Sequence, residues 1–556
     1  MDRNRPALTR WLWYGLRLVP LLFLALFFFY PLVSIFGLSL TPEGYLDLSG
    51  LGQLVSSSYY LDTLLFTIGQ ALASTVLTLM LALPTAYIFV RYAFPGKSLL
   101  LSLATLAFVL PTVVVAAAFS ALVGPRGIVN DALQTWFQLE APPVQLEGTL
   151  AIILIVHVFY NYAVALRIIV SFWSNQSPRI EEAARVLGAS GWSLWWNIRL
   201  PMLRPALMAA AVLVFVFTFT SFGVVIILGG PKFATLEVEI YQQAVNLFNL
   251  PVAAGLSLVQ IGLMFLMMLV YTRLQRRLPV DLASIQYVAR RPKSSIEVVA
   301  VAGNLVVMIV LLFTPLLALV ARSFTGAEGF TTAFYRTLAE NPRSSVLFVP
   351  PIQAISNSLL FAVATTGLAT FLGLLTAYLL TDRRSHWLDP VFMLPLATSA
   401  VTLGFGFIIA LDEPPLNLRA SPLLIPIAHT LVALPFVVRS VMPVVNSIPL
   451  SVREAGRVLG ASPWRVWRWI DLPIISRGLV VGATFAFTIS MGEFGASTFV
   501  ARPDSPTMPV VIFRLLGQPG ALNVGQAMAM SVLLLMVCGV SFVVIERMRI
   551  AGVGEF

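Results

Sequence analysis

Glu182-Ala183-Ala184-Arg185-Val186-Leu187-Gly188-Ala189, followed by Ile198-Arg199-Leu200-Pro201, occurs twice in this chain. The second copy is Glu454-Ala455-Gly456-Arg457-Val458-Leu459-Gly460-Ala461, followed by Ile470-Asp471-Leu472-Pro473. The two lie 272 residues apart, and each reads E-A-(A/G)-x3-G, nine residues, then I-x-L-P. Both are polar islands in a very apolar sequence. Glu182, Ala183 and Arg185 are good helix formers, while Gly188 and Gly460 stand where a turn needs positive φ or a close backbone approach. Pro201 and Pro473 suit the first turn of a following helix. Each island is therefore expected to be a short helix, a tight turn and a second amphipathic helix leading into an apolar span.

The composition surrounding the islands fixes the class. The 556 residues are 58% hydrophobic and only 11% charged, outside the range of soluble globular domains, so the chain is expected to be an all-α polytopic membrane protein. Apolar runs at about 18–40, 61–90, 99–123, 149–174, 206–229 and 251–272 predict six spans, and runs at about 297–320, 354–381, 388–411, 422–446, 478–500 and 524–545 predict six more. The first run follows Arg3, Arg5, Arg10 and Arg17 but is too long for a signal-peptide core and has no A-x-A site, so it is read as an uncleaved span. A net charge of +10 would suggest nucleic acid in a soluble chain; here the basic residues belong to alternate short loops, and no nucleic-acid partner is expected. Those loops hold Arg91 and Lys97, Arg179 to Arg204, Arg273 to Lys293, Arg383 with Arg384, Arg453 to Arg468, and Arg547 with Arg549. The intervening loops carry Glu43, Asp47, Asp131, Glu140, Glu147, Glu237 and Glu239. Both termini and both islands are thus expected on the cytoplasmic side.

The duplication extends beyond the islands. At the same offset His157 matches His429, Arg167 matches Arg439, Phe222-Gly223 matches Phe494-Gly495 and Thr235 matches Thr507. Upstream, Thr85-Ala86-Tyr87 matches Thr376-Ala377-Tyr378, and Leu110-Pro111 matches Leu394-Pro395. An even number of spans per repeat gives both halves one orientation, so the duplication is parallel. The expected division is a first repeat at 1–272 with its island at 179–204, a cytoplasmic linker at 273–296, and a second repeat at 297–556 with its island at 451–476.

The duplicated spacing resembles the EAA loop of permease subunits of bacterial type I ABC importers. That resemblance implies two parallel six-helix repeats of the type I permease fold. It also implies that Glu182, Ala183, Ala184 and Gly188, with Glu454, Ala455, Gly456 and Gly460, form coupling helices docked on a pair of ATPase subunits. Gly456 departs from the family's usual alanine and is expected to loosen its helix by up to about 1 kcal/mol. The implied partners are an ABC ATPase homodimer, an extracytoplasmic substrate-binding protein, the lipid bilayer of the bacterial inner membrane and a small solute. The chain itself would be no enzyme and hold no cofactor, ATP being bound by the partner subunits. Fusion of two halves is familiar in the thiamine and ferric-iron importers. Leu110-Pro111-Thr112-Val113 through Pro125-Arg126-Gly127, with Leu228-Gly229-Gly230-Pro231 through Ile240-Tyr241-Gln242, resembles the thiamine permeases most.

Candidates for the solute path are the polar groups inside spans. Glu493 is the most notable carboxylate, lying inside the eleventh span, and such a group usually faces a cavity or a partner; it either lines the path or is paired structurally with a helix end. Its counterpart in the first half is Ser221. Asn161, beside Tyr160 in the fourth span, and Asn357 in the eighth are further candidates, although Tyr and Asn within spans often only join helices. His157 and His429 read as packing residues, three histidines being too few for a histidine-built metal centre, and Cys538, the single cysteine, excludes an intramolecular disulfide. Gly96-Lys97-Ser98 ends like a phosphate-binding loop but lacks the first glycine, which falls at Arg91. The segment from Glu237 to Phe248, and Arg502 to Gly517 in the second half, would lie outside, either meeting a binding protein or plugging the outer mouth. A secondary carrier of the major facilitator type is the rival reading. Such carriers place a basic G-x3-D-R-x-G loop after the second span, which Arg91-Tyr92-Ala93-Phe94-Pro95-Gly96-Lys97 does not provide.

Overall fold

A computed structural model describes residues 7–41, 45, 52, 54, 56–230, 232–275, 289–326, 329–340, 347–382, 385–412, 414 and 416–550. Glu43, Asp47, Arg276, Arg277, Arg383 and Arg384, and most of the expected linker, lie outside the described residues. In the first half the helices are α1 (Leu18–Leu40), α2 (Ser58–Arg91), α3 (Lys97–Val109), α4 (Thr112–Phe137), α5 (Leu150–Ser174), α6 (Arg179–Val186), α7 (Gly191–Phe219), α8 (Gly223–Leu228), α9 (Leu236–Tyr241) and α10 (Leu250–Leu274). In the second they are α11 (Ser295–Ser323), α12 (Pro351–Thr381), α13 (Asp389–Leu396), α14 (Ala400–Ala410), α15 (Leu424–Ser447), α16 (Leu450–Val458), α17 (Pro463–Gly492), α18 (Gly495–Val500), α19 (Met508–Leu516) and α20 (Ala521–Met548). Among the described residues the one sheet is a two-residue hairpin, Thr325–Gly326 against Gly329–Phe330.

Among the described residues eleven helices are long and apolar enough to cross a membrane, or twelve if α13 and α14, bent by 96°, count as one span. Three further expected spans differ in detail. The run at 99–123 is not one helix: Pro111 lacks an N–H and biases Leu110 away from helical angles, so Leu110 is extended at φ −67°, ψ 143° and the chain restarts as α4. Likewise the runs at 206–229 and 478–500 each join the end of a long helix to a short one. α7 starts already at Gly191 and α17 at Pro463, and they stop at Phe219 and Gly492, before α8 and α18 begin. Pro201 and Pro473 sit in the first turn that follows a π-turn, Trp195–Arg199 or Trp467–Asp471, where the hydrogen-bond ladder is already interrupted and a proline breaks nothing more.

Two compact units form, and they do not follow the linear order of the repeats. One comprises residues 1–52, 240–258 and 331–556, the other 53–239 and 259–330. In the first unit Phe23, Leu24 and Phe28 of α1 are buried with Phe361, Phe407 and Leu434 of the second repeat. A Cβ added at Gly406 of α14 would come within 3.1 Å of Pro31, which shows how closely α1 lies there. In the second unit Val301 of α11 packs on Ile88 and Tyr92, and Asn304 donates to Thr85 Oγ1 at 2.9 Å. Arg322, at the other end of α11, pairs with Asp131 at 2.8 Å. Each unit therefore takes the opening helix of the other half of the sequence.

Candidate coupling helices and polar clusters

α6 and α16 end in the same way. Gly188 N–H bonds to Arg185 O at 3.0 Å and Ala189 N–H to Ala184 O at 2.9 Å; the twin bonds run from Gly460 to Arg457 at 2.9 Å and from Ala461 to Gly456 at 3.0 Å. This is the six-to-one, five-to-two pattern that closes a helix through a left-handed residue, and φ is +90° at Gly188 and +82° at Gly460. The tight stop leaves the last helical residues standing clear. Val186 and Leu187 are 88% and 87% exposed, and Val458 and Leu459 are 86% and 87% exposed. Glu182, Ala183, Glu454 and Ala455 are exposed beside them. Both halves thus leave an exposed apolar tip on an otherwise polar helix.

The opposite side of each helix faces its own unit. Ala184 is buried, whereas at Gly456 a Cβ would stand 2.8 Å from Ile470 Cδ1 and 3.5 Å from Val466 Cγ2. Glycine at 456 therefore admits the Ile470 side chain. Beyond the turn, Trp192 and Trp196 are exposed and stacked with centroids 6.4 Å apart, and Trp464 stacks on Trp467 at 4.8 Å.

The polar groups within the spans are engaged with their own chain. Glu493 is 7% exposed; it accepts from Ala496 N–H, Ser497 N–H and Ser497 Oγ, each at 2.9 Å, and lies 3.3 Å from His429 Nε2. It is the cap of α18, satisfying donors that a helix start leaves free. Of the two alternatives read from the sequence, this conformation has the helix cap and not a carboxylate open to a path. In the other half Ser221 Oγ bonds to His157 Nε2 at 2.8 Å, and His157 Nδ1 meets Ser74 Oγ at 3.1 Å. His429 Nδ1 meets Ser490 Oγ at 2.7 Å and its Nε2 meets Ser497 Oγ at 2.8 Å. Each histidine thus ties α5 or α15 to the break after α7 or α17, as packing residues do. Asn161 is buried and donates to His157 O at 2.9 Å. Half-buried Tyr160 donates to Leu110 O at 3.3 Å, at the break between α3 and α4. Asn357 donates to Pro506 O at 3.2 Å.

Glu237 and Glu239, read as charges of an external loop, are buried: Gln260 donates to Glu237, and Tyr59 Oη donates to Glu239 at 2.8 Å. The segment ends in the exposed Leu247 and Phe248. Gly96-Lys97-Ser98 is a helix junction, with Gly96 at φ +77° before α3 and Lys97 Nζ turned back to Tyr92 O at 3.3 Å. Half-burial there lowers the Lys97 pKa below its ordinary value. Sequence reading missed the ion pairs Glu181–Arg199 and Arg453–Asp471, although aligning the two copies shows opposite charges at both positions.

The sequence profile of the family described as "Binding-protein-dependent transport system inner membrane component" matches residues 79–280 and 369–549. The chain is 25% identical over 503 residues to the thiamine transport system permease protein ThiP of Haemophilus influenzae, spanning 89% of this chain and 90% of that protein. It is 26% identical over 505 residues to the Escherichia coli protein of the same name, spanning 88% and 89%. Among solved structures, a bacterial alginate ABC transporter in complex with an alginate pentasaccharide-bound periplasmic protein aligns with TM-score 0.41 and 18% identity, over 50% of this chain and 98% of that chain.

Proposed function

Because this chain belongs to the family of inner membrane components of binding-protein-dependent transport systems, we propose that it is the permease of an ATP-driven importer that brings thiamine into the cytoplasm. The observation that carries the ATP-driven part is the pair of identically closed helices, α6 and α16, each offering an exposed apolar tip. ATPase subunits docked on those tips would close on ATP and move α6 and α16, and with them α7 and α17, whose far ends break at Thr220 and Glu493. A binding protein would deliver solute on the opposite face, and the two access states would alternate with the ATP cycle. The solute rests on the relatives: similarity to thiamine permeases runs along nearly nine-tenths of the chain. Both termini lie in the cytoplasm in this reading, from the basic residues of alternate loops.

The test is uptake into vesicles holding the chain, its ATPase and its binding protein. Thiamine accumulation that needs both ATP and the binding protein supports the proposal. Accumulation of ferric iron instead would retain the importer and replace the solute. Uptake driven by an ion gradient without the ATPase would favour the secondary-carrier reading and end this one.

A further inference from the structure

The helices α6 and α7 are joined by one buried ion pair. Arg199 donates to Glu181 through Nε at 3.1 Å and through Nη2 at 2.9 Å, and both side chains are almost completely enclosed. The corresponding helices α16 and α17 are joined at the same two positions with the signs exchanged: Arg453 Nε donates to Asp471 Oδ1 at 2.8 Å. What is acid on the docking helix of one half is base on that of the other.

The neighbour of both pairs is a tyrosine in the same place of the repeat, and it serves either sign. Where the membrane helix carries the cation, the Arg199 guanidinium lies over the Tyr87 ring at 5.1 Å and over the Trp195 ring at 5.1 Å. Where it carries the anion, the Tyr378 hydroxyl turns to Asp471 Oδ2 at 3.4 Å. A ring face attracts a cation and a hydroxyl donates to a carboxylate, so one residue type tolerates the exchange. Tyr87 and Trp173, 5.8 Å apart, connect the first pair to α2 and α5 as well. The second pair is less complete. Aspartate is one methylene shorter than glutamate, the contact uses one N–H, and Arg453 Nη2 is left without a hydrogen bond.

We infer that each pair is the latch by which a docking helix and its membrane helix move as one body, and that this role needs the pair and not the sign of either member. The inference rests on the permease reading above. Within one chain, the second half is already the charge-exchanged version of the first. Without the latch, α6 would be held to α7 through a flexible glycine turn and apolar contacts, and displacement of its tip would be absorbed in the loop. Glu181 and Arg199 are positioning residues: they touch neither solute nor nucleotide.

The experiment uses Glu181→Arg, Arg199→Asp and the double variant, which installs in the first half the residues of the second. Amide hydrogen exchange of residues 182–189 is first measured on the purified chain alone. Each single variant is expected to speed exchange by about tenfold or more, and the double variant to return to wild type. Arg199→Lys, which keeps the charge but loses the paired N–H fork, is expected to fall between. The same variants are then assembled with the ATPase and binding protein, and stimulated ATP turnover is measured. The single variants are expected to lose about tenfold, the size of an ordinary coupling free energy, and the double variant to recover it. Singles indistinguishable from wild type, or a double variant as defective as the singles, would overturn the latch. Restored exchange with turnover still lost would overturn its role in transmission. A wild-type complex with no stimulated turnover would refute the permease reading instead, and the exchange measurement, which needs no ATPase, still decides the latch.

Discussion

Glycine at 188 and 460 is required by backbone angle and not by space. Both residues are left-handed, and nothing lies within 4 Å of an added Cβ. A β-branched residue there would cost about 1–2 kcal/mol and press the turn toward another closure. Gly188→Val and Gly460→Val should insert normally yet lose binding-protein-stimulated ATP turnover, and unaltered turnover in both would contradict the docking role. These positions were legible because a left-handed helix end writes glycine into the sequence. Glu493 was legible only as a choice between two roles, since its donors come partly from His429, 64 positions earlier in the chain. In the present geometry Glu493→Gln would replace a charge-assisted cap by an amide whose NH2 group faces N–H donors. Each such bond is worth about 1.5–3 kcal/mol. The expected outcome is a lower thermal midpoint and a poorer yield, with uptake per folded molecule little changed. Reduced uptake at full stability would restore the idea that this carboxylate meets the solute.

At the scale of elements, the recurring device is a long helix that stops inside its unit and is tied there by a histidine from its neighbour. The two ties differ in what removal would leave behind. His429→Ala would remove the ring that meets Ser490, Ser497 and the carboxylate of Glu493, which keeps its bonds from Ala496 and Ser497, whereas His157→Ala would remove only contacts to the hydroxyls of Ser74 and Ser221. A contact to a charged group is worth more than one between neutral groups, about 1.5–3 against about 0.5–1.5 kcal/mol. A thermal-melt comparison in detergent should therefore find His429→Ala the more damaging, and equal or reversed effects would refute the account of the ties. Apolar runs located the spans well, but they overran the stops at Phe219 and Gly492. Hydropathy does not register a break when the residues on both sides, such as Val216-Phe217 and Val224-Val225, are equally apolar. The division of the third span, by contrast, was written in Leu110-Pro111, a dipeptide that the repeat comparison had noted without reading it as a break.

At the scale of the whole molecule, the duplication was legible and the exchange of opening helices was not. Matching positions at a constant offset reveal a repeat whatever its packing. Nothing in α1 or α11 says which half will bury it, because an apolar helix is compatible with any apolar surface of suitable shape. Only the assembled cores, Phe28 with Phe361 and Phe407 in one unit and Val301 with Ile88 in the other, settle the matter. In the proposed importer, two equivalent helix tips, at Leu187 and Leu459, receive the ATPase subunits. Cys538 is the single cysteine and is buried, so its replacement by alanine gives a cysteine-free background. In that background single cysteines at Leu187 and Leu459 can be reacted, within a complex that hydrolyses ATP, with a short thiol-to-amine cross-linker. Cross-linking of both positions to the ATPase subunit is the predicted result, and an active complex in which neither position reaches the ATPase would contradict it.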